Sequence, residues 1–355
     1  MVNYSGRLLH HGLPLAPVEC GHVGISNISL FSAMKNVLFN VLAVLAVAVV
    51  VYLPGPSPAK PSFSTTLPEL TSDPVALQQA IDAREAALPL KPDAAARILW
   101  ADTSKKITEF SLLYLHGFSG TWHDGSPAIE EVARRLGANL YLTRLHAHGL
   151  RSNEPLLDYN PDSVYADAVR ALAVAKRLGK KVVVVGTSTG ATLGLMLAAR
   201  FPGDVYSVIN WSPNIRLHHP MSFLSNNPWG LQLTRIVVGG NYRETVMQNP
   251  ERERYWYMKY RIEGIVQLQE LLESSMTTET FAAIKQPVLT MCWYANDSDQ
   301  DSLVSVSAMR TMHNELGSAR KKLIPLNAAA HEIGYGAESK AVAQVVEQSV
   351  AWVSQ

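Results

Sequence analysis

KKVVVVGTSTGATLGLM, residues 180–196, sets four consecutive valines directly before a GxSxG sequence and follows it with a run of Ala, Leu and Gly. Four β-branched residues in a row read as a strand buried on both faces, and the run after Thr189 keeps apolar residues at helical spacing. Gly186 and Gly190 stand two residues before and two after Ser188, where they remove the Cβ atoms that would hold strand and helix apart. The serine between them is forced into strained backbone and pushed out at the carboxyl edge of the sheet, where open α/β sheets bind ligands. The bare motif is a modest signal; its strand-turn-helix setting gives it weight.

The pattern extends in both directions. Strand-like runs (RILWA, FSLLYLHG, NLYLTRL, YSVINWSP, PVLTMCWY, KKLIPLN) alternate with helical ones (SPAIEEVARRLG, DSVYADAVRALAVAKRLG and the segment from Ser188 to Arg200), and the last two strands are each followed by a helical pattern. Alternation of this kind predicts an α/β fold, a mostly parallel sheet covered by helices on both faces. DPVALQQAIDAREAAL adds an amphipathic helix ahead of the core, with Asp73 as N-cap and Pro74 at its first position.

A serine at such a turn needs a base, an orienting acid and an oxyanion hole, and in sheets of this type the acid and then the base follow it in the chain. The histidines after Ser188 are His218, His219, His313 and His331. His313 falls inside a helical run as a solvent-facing residue, whereas His331 follows the last strand in a loop before the final helix, where the base belongs. The acid should follow PVLTMCWY, and ANDSDQDSLVSV offers Asp297, Asp299 and Asp301. Asp301 is preferred because Val304 and Val306 lead from it into the next helix; the other two read as loop-capping or solvated carboxylates. The backbone amides of Phe118, after the HG that ends LLYLHG, and of Thr189, after the serine, are positioned to converge on an oxyanion. His116 reads as support for that loop. So does the HxH of His146 and His148, which has no third ligand in sight.

LYLHGFSG, RLHAHGL, GTSTGATL, QDSLVSV and NAAAHEI, in this order, resemble the α/β-hydrolase superfamily, in its monoglyceride lipase and carboxylesterase branch with the serine aminopeptidase-like proteins. The resemblance covers residues 70–355. It implies a serine hydrolase of carboxylic esters with Ser188 as nucleophile, Asp301 as acid, His331 as base and the amides of Phe118 and Thr189 as oxyanion donors. It implies no metal and no organic cofactor. Thr187 and Ala191 depart from the family's usual His and second Gly beside the serine, changes that leave every reacting group in place but bear on pocket shape. An acyltransferase or peptidase using the same residues, and a non-catalytic binding protein on the same fold, are the alternative readings.

A chain of 355 residues with 47% hydrophobic and 17% charged residues has the material for one large α/β domain, and a net charge of +1 provides no basic face for nucleic acid. Two cysteines, Cys20 in the N-terminal tail and Cys292 inside an apolar run, make neither a disulfide framework nor a zinc spacing. VLFNVLAVLAVAVVVYL, residues 37–53, is uncharged and long enough to cross most of a bilayer's hydrocarbon core. The expected organisation is therefore a tail at 1–36, with Met34 a natural start, and a transmembrane anchor or signal segment at 37–53. A Pro/Ser-rich linker at 54–69 and a hydrolase domain at 70–355 follow. Lys35 before the segment places the rest of the chain across the membrane, either still anchored or released after cleavage near SPA. The stretch of about 215–285 exceeds what the sheet requires and reads as a helical cap, whose Trp229, Tyr255, Trp256, Tyr257 and Tyr260 serve either an acyl pocket or the cap's own core. The partner expected is a small-molecule or lipid ester.

Overall fold

The computed structural model describes residues 27–246 and 249–355 and divides into two compact units, residues 1–54 and 55–355. In the first, one helix, α1 (Asn27–Tyr52), carries the apolar run. Its Met34–Tyr52 portion has a mean hydropathy of 2.2, and it is the one helix among the described residues long and apolar enough to cross a membrane, a test that a signal sequence also passes. Cys20 lies outside the described residues.

The second unit runs α2 (Pro74–Ala86), β1 (Arg97–Leu99), β2 (Thr108–Leu115), α3 (Ala128–Leu136), β3 (Asn139–Leu142), α4 (Pro161–Ala175), β4 (Gly179–Thr187), α5 (Thr189–Arg200) and β5 (Ser207–Trp211). An insertion then brings α6 (Gly230–Val238), β6 (Tyr242–Glu244), α7 (Pro250–Tyr255), β7 (Lys259–Arg261), α8 (Ile262–Ser275) and α9 (Thr278–Ala283). The chain closes with β8 (Val288–Asn296), β9 (Asp299–Gln300), α10 (Val306–Glu315), β10 (Lys321–Leu326) and α11 (Val342–Val353). The strand order is β1-β3-β2-β4-β5-β8-β10, with every pair parallel except the β1–β3 edge. This is the α/β-hydrolase fold.

Period-two alternation builds two cores from one sheet. Leu113, Leu115, Val182 and Val184 face α4 and α5, whereas Leu112, Tyr114, Val183 and Val185 face α3 and α11. The caps follow local chemistry: Asp73 accepts the Ala76 amide at the start of α2 and Asn160 the Ser163 amide at the start of α4, each ahead of a proline in the first turn.

Residues 55–69 form neither helix nor strand, yet they are fastened to the domain. Lys60 Nζ lies 2.9 Å from the buried Glu270 carboxylate on α8. The amides of Ser62 and Phe63 donate to Asp162, and the buried Phe63 ring packs edge-on against Tyr165. An apolar ring and an ion pair within four residues make a docked strap out of a stretch whose proline content specifies only that it is extended.

Candidate active site

The glycines of the turn are explained by contacts. A Cβ on Gly190 would lie 1.9 Å from the Leu115 carbonyl oxygen and one on Gly186 would lie 2.4 Å from the Ala191 nitrogen, so β2, β4 and α5 meet at this density only if both stay bare. Ser188 takes φ 54° and ψ −118°, a region costing about 1–3 kcal/mol for a residue with a Cβ. The surroundings hold it there: its amide donates to the Trp211 carbonyl, and its carbonyl accepts from Ala191, Thr192 and Asn214.

Asp301, after β9, is wholly buried. Its Oδ1 accepts the amides of Leu303 and Val304, and its Oδ2 lies 2.5 Å from His331 Nδ1. The segment after β5 stabilises this loop through a bridge between Leu217 and Val304 and a bond from the Ser305 amide to the Arg216 carbonyl. Of the three candidate acids, Asp301 alone meets His331; Asp297 is exposed and accepts from Tyr294, and Asp299 is exposed on β9. Burial works against both charges of the pair. His331 and the amides nevertheless hold the Asp301 carboxyl below its ordinary range, while Asp301, with Glu332 and Asp124, raises the His331 imidazole.

Ser188 and His331 open onto one cavity of about 540 Å³. Phe118, Trp256, Tyr257, Tyr260, Leu217 and Leu268 supply much of its apolar lining. Trp256, Tyr257 and Tyr260 thus face the cavity, whereas Tyr255 is buried in a stack on His123 with ring centroids 3.6 Å apart, and Trp229 precedes α6, outside it. His218 and His219 are exposed residues of the cavity wall. His313 is half-buried on α10 and does not line it. Cys292 is buried in β8, its thiol pushed up to about 12 by burial and the Asp301 charge.

The loop after β2 is pinned on both sides of Phe118. The Gly117 amide donates to Asp124 Oδ2 at 2.6 Å and the Gly117 carbonyl faces His116 Nδ1 at 2.9 Å. The Ser119 amide donates to His148 Nε2 at 3.1 Å, and the Ser119 carbonyl accepts from the Tyr257 amide. Among the described residues the amides of Phe118 and Thr189 have no such partner. Burial lowers His116 to about 4 and His148 well below its ordinary value, so both are neutral rings serving the loop. His146 meets the Asp158 carbonyl, and no group of three metal-ligating side chains occurs among the described residues.

Two features carry no obvious sequence signal. Arg252 on α7 pairs with Glu332, the neighbour of His331, at 2.9 Å and with Glu338 at 2.5 Å, tying the insertion to the His331 loop. Asp124, in the short 3₁₀ turn Trp122–Gly125, lines the cavity although buried. A carboxylate seven residues beyond Gly117 in GTWHDG is the only trace of it in the sequence.

The description "Alpha/beta hydrolase family" belongs to the family model that matches residues 112–347. No curated protein matches the chain by sequence. Among solved structures, a metagenome-derived lipolytic enzyme from the pair LipS and LipT is 18% identical with a TM-score of 0.61, covering 75% of this chain and 99% of its own. The monoacylglycerol lipase of Paleococcus ferrophilus is 15% identical with a TM-score of 0.52, over 72% of this chain and 98% of its own. A soluble variant of the Saccharomyces cerevisiae monoglyceride lipase, bound to a substrate analogue, is 14% identical with a TM-score of 0.51, over 73% and 91%. At such identities the likeness is one of fold; together with the family match over most of the domain, it means that the chain belongs to the alpha/beta hydrolase family.

Proposed function

We propose that the protein is a serine hydrolase that cleaves carboxylic esters through an acyl-enzyme, with Ser188 as nucleophile, His331 as base, Asp301 as orienting acid and the amides of Phe118 and Thr189 as oxyanion donors. The observation that carries the reading is the pairing of buried Asp301 Oδ2 with Nδ1 of His331, which lines the same cavity onto which the strained Ser188 opens. With Nδ1 engaged by Asp301, Nε2 is the ring nitrogen left to take the Ser188 proton as Oγ attacks the carbonyl carbon. The carbonyl electron pair moves onto oxygen, where the two unpaired amides receive it. Collapse breaks the ester bond, and the imidazolium protonates the departing alkoxide. Water then repeats the sequence, His331 taking its proton, and the carboxylic acid leaves with Ser188 restored.

The cavity suits an ester with an apolar acyl chain, since aromatic rings face the serine and its volume lies in the range that encloses small ligands. Two of the solved relatives are monoacylglycerol lipases by name, which makes monoacylglycerols the first substrates to assay. In this reading residues 37–53 anchor the chain in a membrane or direct its export, with the domain on the extracytoplasmic side. The full chain in detergent and its Ser188→Ala variant, treated with a fluorophosphonate and digested for mass spectrometry, test the assignment. An adduct on the Ser188 peptide, absent from the variant along with esterase activity, is expected. A folded protein that takes no label, or a variant that keeps most of its turnover, overturns it.

A further inference from the structure

Thr187 stands where the family's usual residue is histidine, and the structure gives its hydroxyl a use. Thr187 Oγ1 lies 2.8 Å from Tyr114 Oη, Tyr114 donates to Asp124 Oδ1 at 2.6 Å, and Asp124 Oδ2 receives the Gly117 amide at 2.6 Å. All three side chains are buried. The chain of bonds starts on β4 at the residue before Ser188, crosses to β2 and ends one residue before the Phe118 amide. The two ends lie close together: a Cβ added to Gly117 would come within 3.2 Å of Ser188 Cβ and 3.5 Å of the Thr187 carbonyl oxygen. His116 and His148 also hold the loop, but neither reaches Thr187.

We propose that Asp124 is a positioning residue for oxyanion stabilisation: braced by Tyr114 and Thr187, its carboxyl fixes the Phe118 amide relative to the Ser188–Thr189 turn. The inference rests on the reading of Ser188 as nucleophile and of those two amides as oxyanion donors. A buried carboxyl is a costly way to hold a loop, and two neutral rings already do so. What a carboxyl adds is two acceptor oxygens about a planar carbon, one for a backbone amide and one for a hydroxyl, so one group sets the angle between loop and elbow. Burial pushes Asp124 up to about 8, against the two donors, but Oδ2 accepts the Gly117 amide in either state: a proton on Oδ1 would only reverse the bonds through Tyr114 to Thr187. Asparagine keeps the geometry, its amide oxygen accepting the Gly117 amide and its NH₂ donating to Tyr114 as the protonated carboxyl would, whereas leucine, of similar size, has no polar atom for either partner.

The test uses the full chain in detergent. Steady-state kinetics on a p-nitrophenyl ester and inhibition by a trifluoromethyl ketone, whose hemiketal oxygen sits where the oxyanion would, are measured for wild type, Asp124→Leu, Asp124→Asn, Thr187→Val and the double variant of Asp124→Leu with Thr187→Val. Asp124→Leu should lower kcat roughly 10- to 100-fold with KM within about twofold, and weaken the ketone by a similar factor, while Asp124→Asn, which keeps the acceptor, should stay within about threefold of wild type in both. Thr187→Val should lower kcat roughly threefold in the same sense, and the double variant should be no worse than Asp124→Leu alone, as for groups acting in one chain. For Asp124→Leu, a change in KM with kcat intact would make Asp124 a substrate contact, and an unchanged ketone affinity would make it a packing residue; either overturns the proposal. If Asp124→Leu fails to fold, the nearly isosteric Thr187→Val decides by the same split between kcat and KM. Wild-type protein that takes no fluorophosphonate on Ser188 would overturn the underlying reading instead, a result separate from normal labelling with an indifferent Asp124→Leu.

Discussion

At the scale of single residues, the three candidate acids separate by burial. Asp301 has no exposed surface and three hydrogen-bond partners, whereas Asp297 and Asp299 face solvent. Replacing Asp301 by Asn leaves the shape but presents an NH₂ or a neutral oxygen to the imidazole, and kcat should fall roughly 10⁴-fold, as when the orienting acid of such a site is neutralised. Asn at 297 or 299 should leave kcat within about twofold. Esterase assays on the three variants distinguish them. The pH profile carries a second expectation. Against burial, Asp301 and then Glu332 raise His331 above its ordinary 6.5, so the acid limb of kcat/KM should lie above that pH. Glu332→Gln removes one of the raising charges, and the limb should therefore move to lower pH, by about half a unit to one unit. A shift to higher pH would mean that Glu332 does not act on His331 by charge.

At the scale of elements, the elbow and the insertion make different demands. Gly190→Ala drives a methyl into the Leu115 carbonyl, a backbone atom that cannot yield without moving β2, so the variant should lose fluorophosphonate labelling and melt lower than wild type. Gly203→Ala, with open space around the new methyl and no positive φ, should change stability by less than about 0.5 kcal/mol. Comparing the two by thermal denaturation isolates the close approach from the loss of a glycine as such. In the insertion, Arg252→Met would leave Glu332 buried without its cation while Glu338, half-buried, turns to solvent. Removing one partner of a mostly buried pair destabilises by about 2–4 kcal/mol, and here it also releases α7 from the His331 loop. A lower melting temperature with a raised KM is expected, because Arg252 also lies over the Trp256 ring that lines the cavity.

At the scale of the whole molecule, residues 55–355 form a compact unit by themselves, and its first fifteen residues are part of it. A chain beginning at Gly55 should fold and keep esterase activity. One beginning at Leu67 loses the Phe63 ring from its site against Tyr165 and the Lys60 partner of buried Glu270. Burial of one phenylalanine is worth about 1.5–3 kcal/mol, so the shorter chain should melt several degrees lower, by roughly 2–4 °C for each kcal/mol in a large domain. Equal melting temperatures would show the strap to be ornamental to stability. For the full chain, α1 predicts recovery in the membrane fraction after alkaline carbonate washing if the helix is retained, and in the soluble exported fraction, shortened near residue 59, if it is cleaved.

The sequence by itself determined the order of strands and helices, the elbow at Ser188 and the loop positions of His331 and Phe118. Each of these follows from local rules: valine runs and periodicity, glycines that permit close approach, and chain order around the sheet. It narrowed the acid to three aspartates and preferred Asp301. Only the tertiary structure decided that Asp301, and neither neighbour, lies against His331, because burial and approach to a histidine thirty residues away are properties of packing. The same holds for the docked strap at 55–69, for Arg252 on the His331 loop and for the Thr187–Tyr114–Asp124 chain. Their partners lie between 10 and 210 positions apart, on neighbouring strands of the parallel sheet, in the loops at its ends and on helices of the insertion. Composition and periodicity describe which face a side chain takes; they carry no term for the distant group it will meet there.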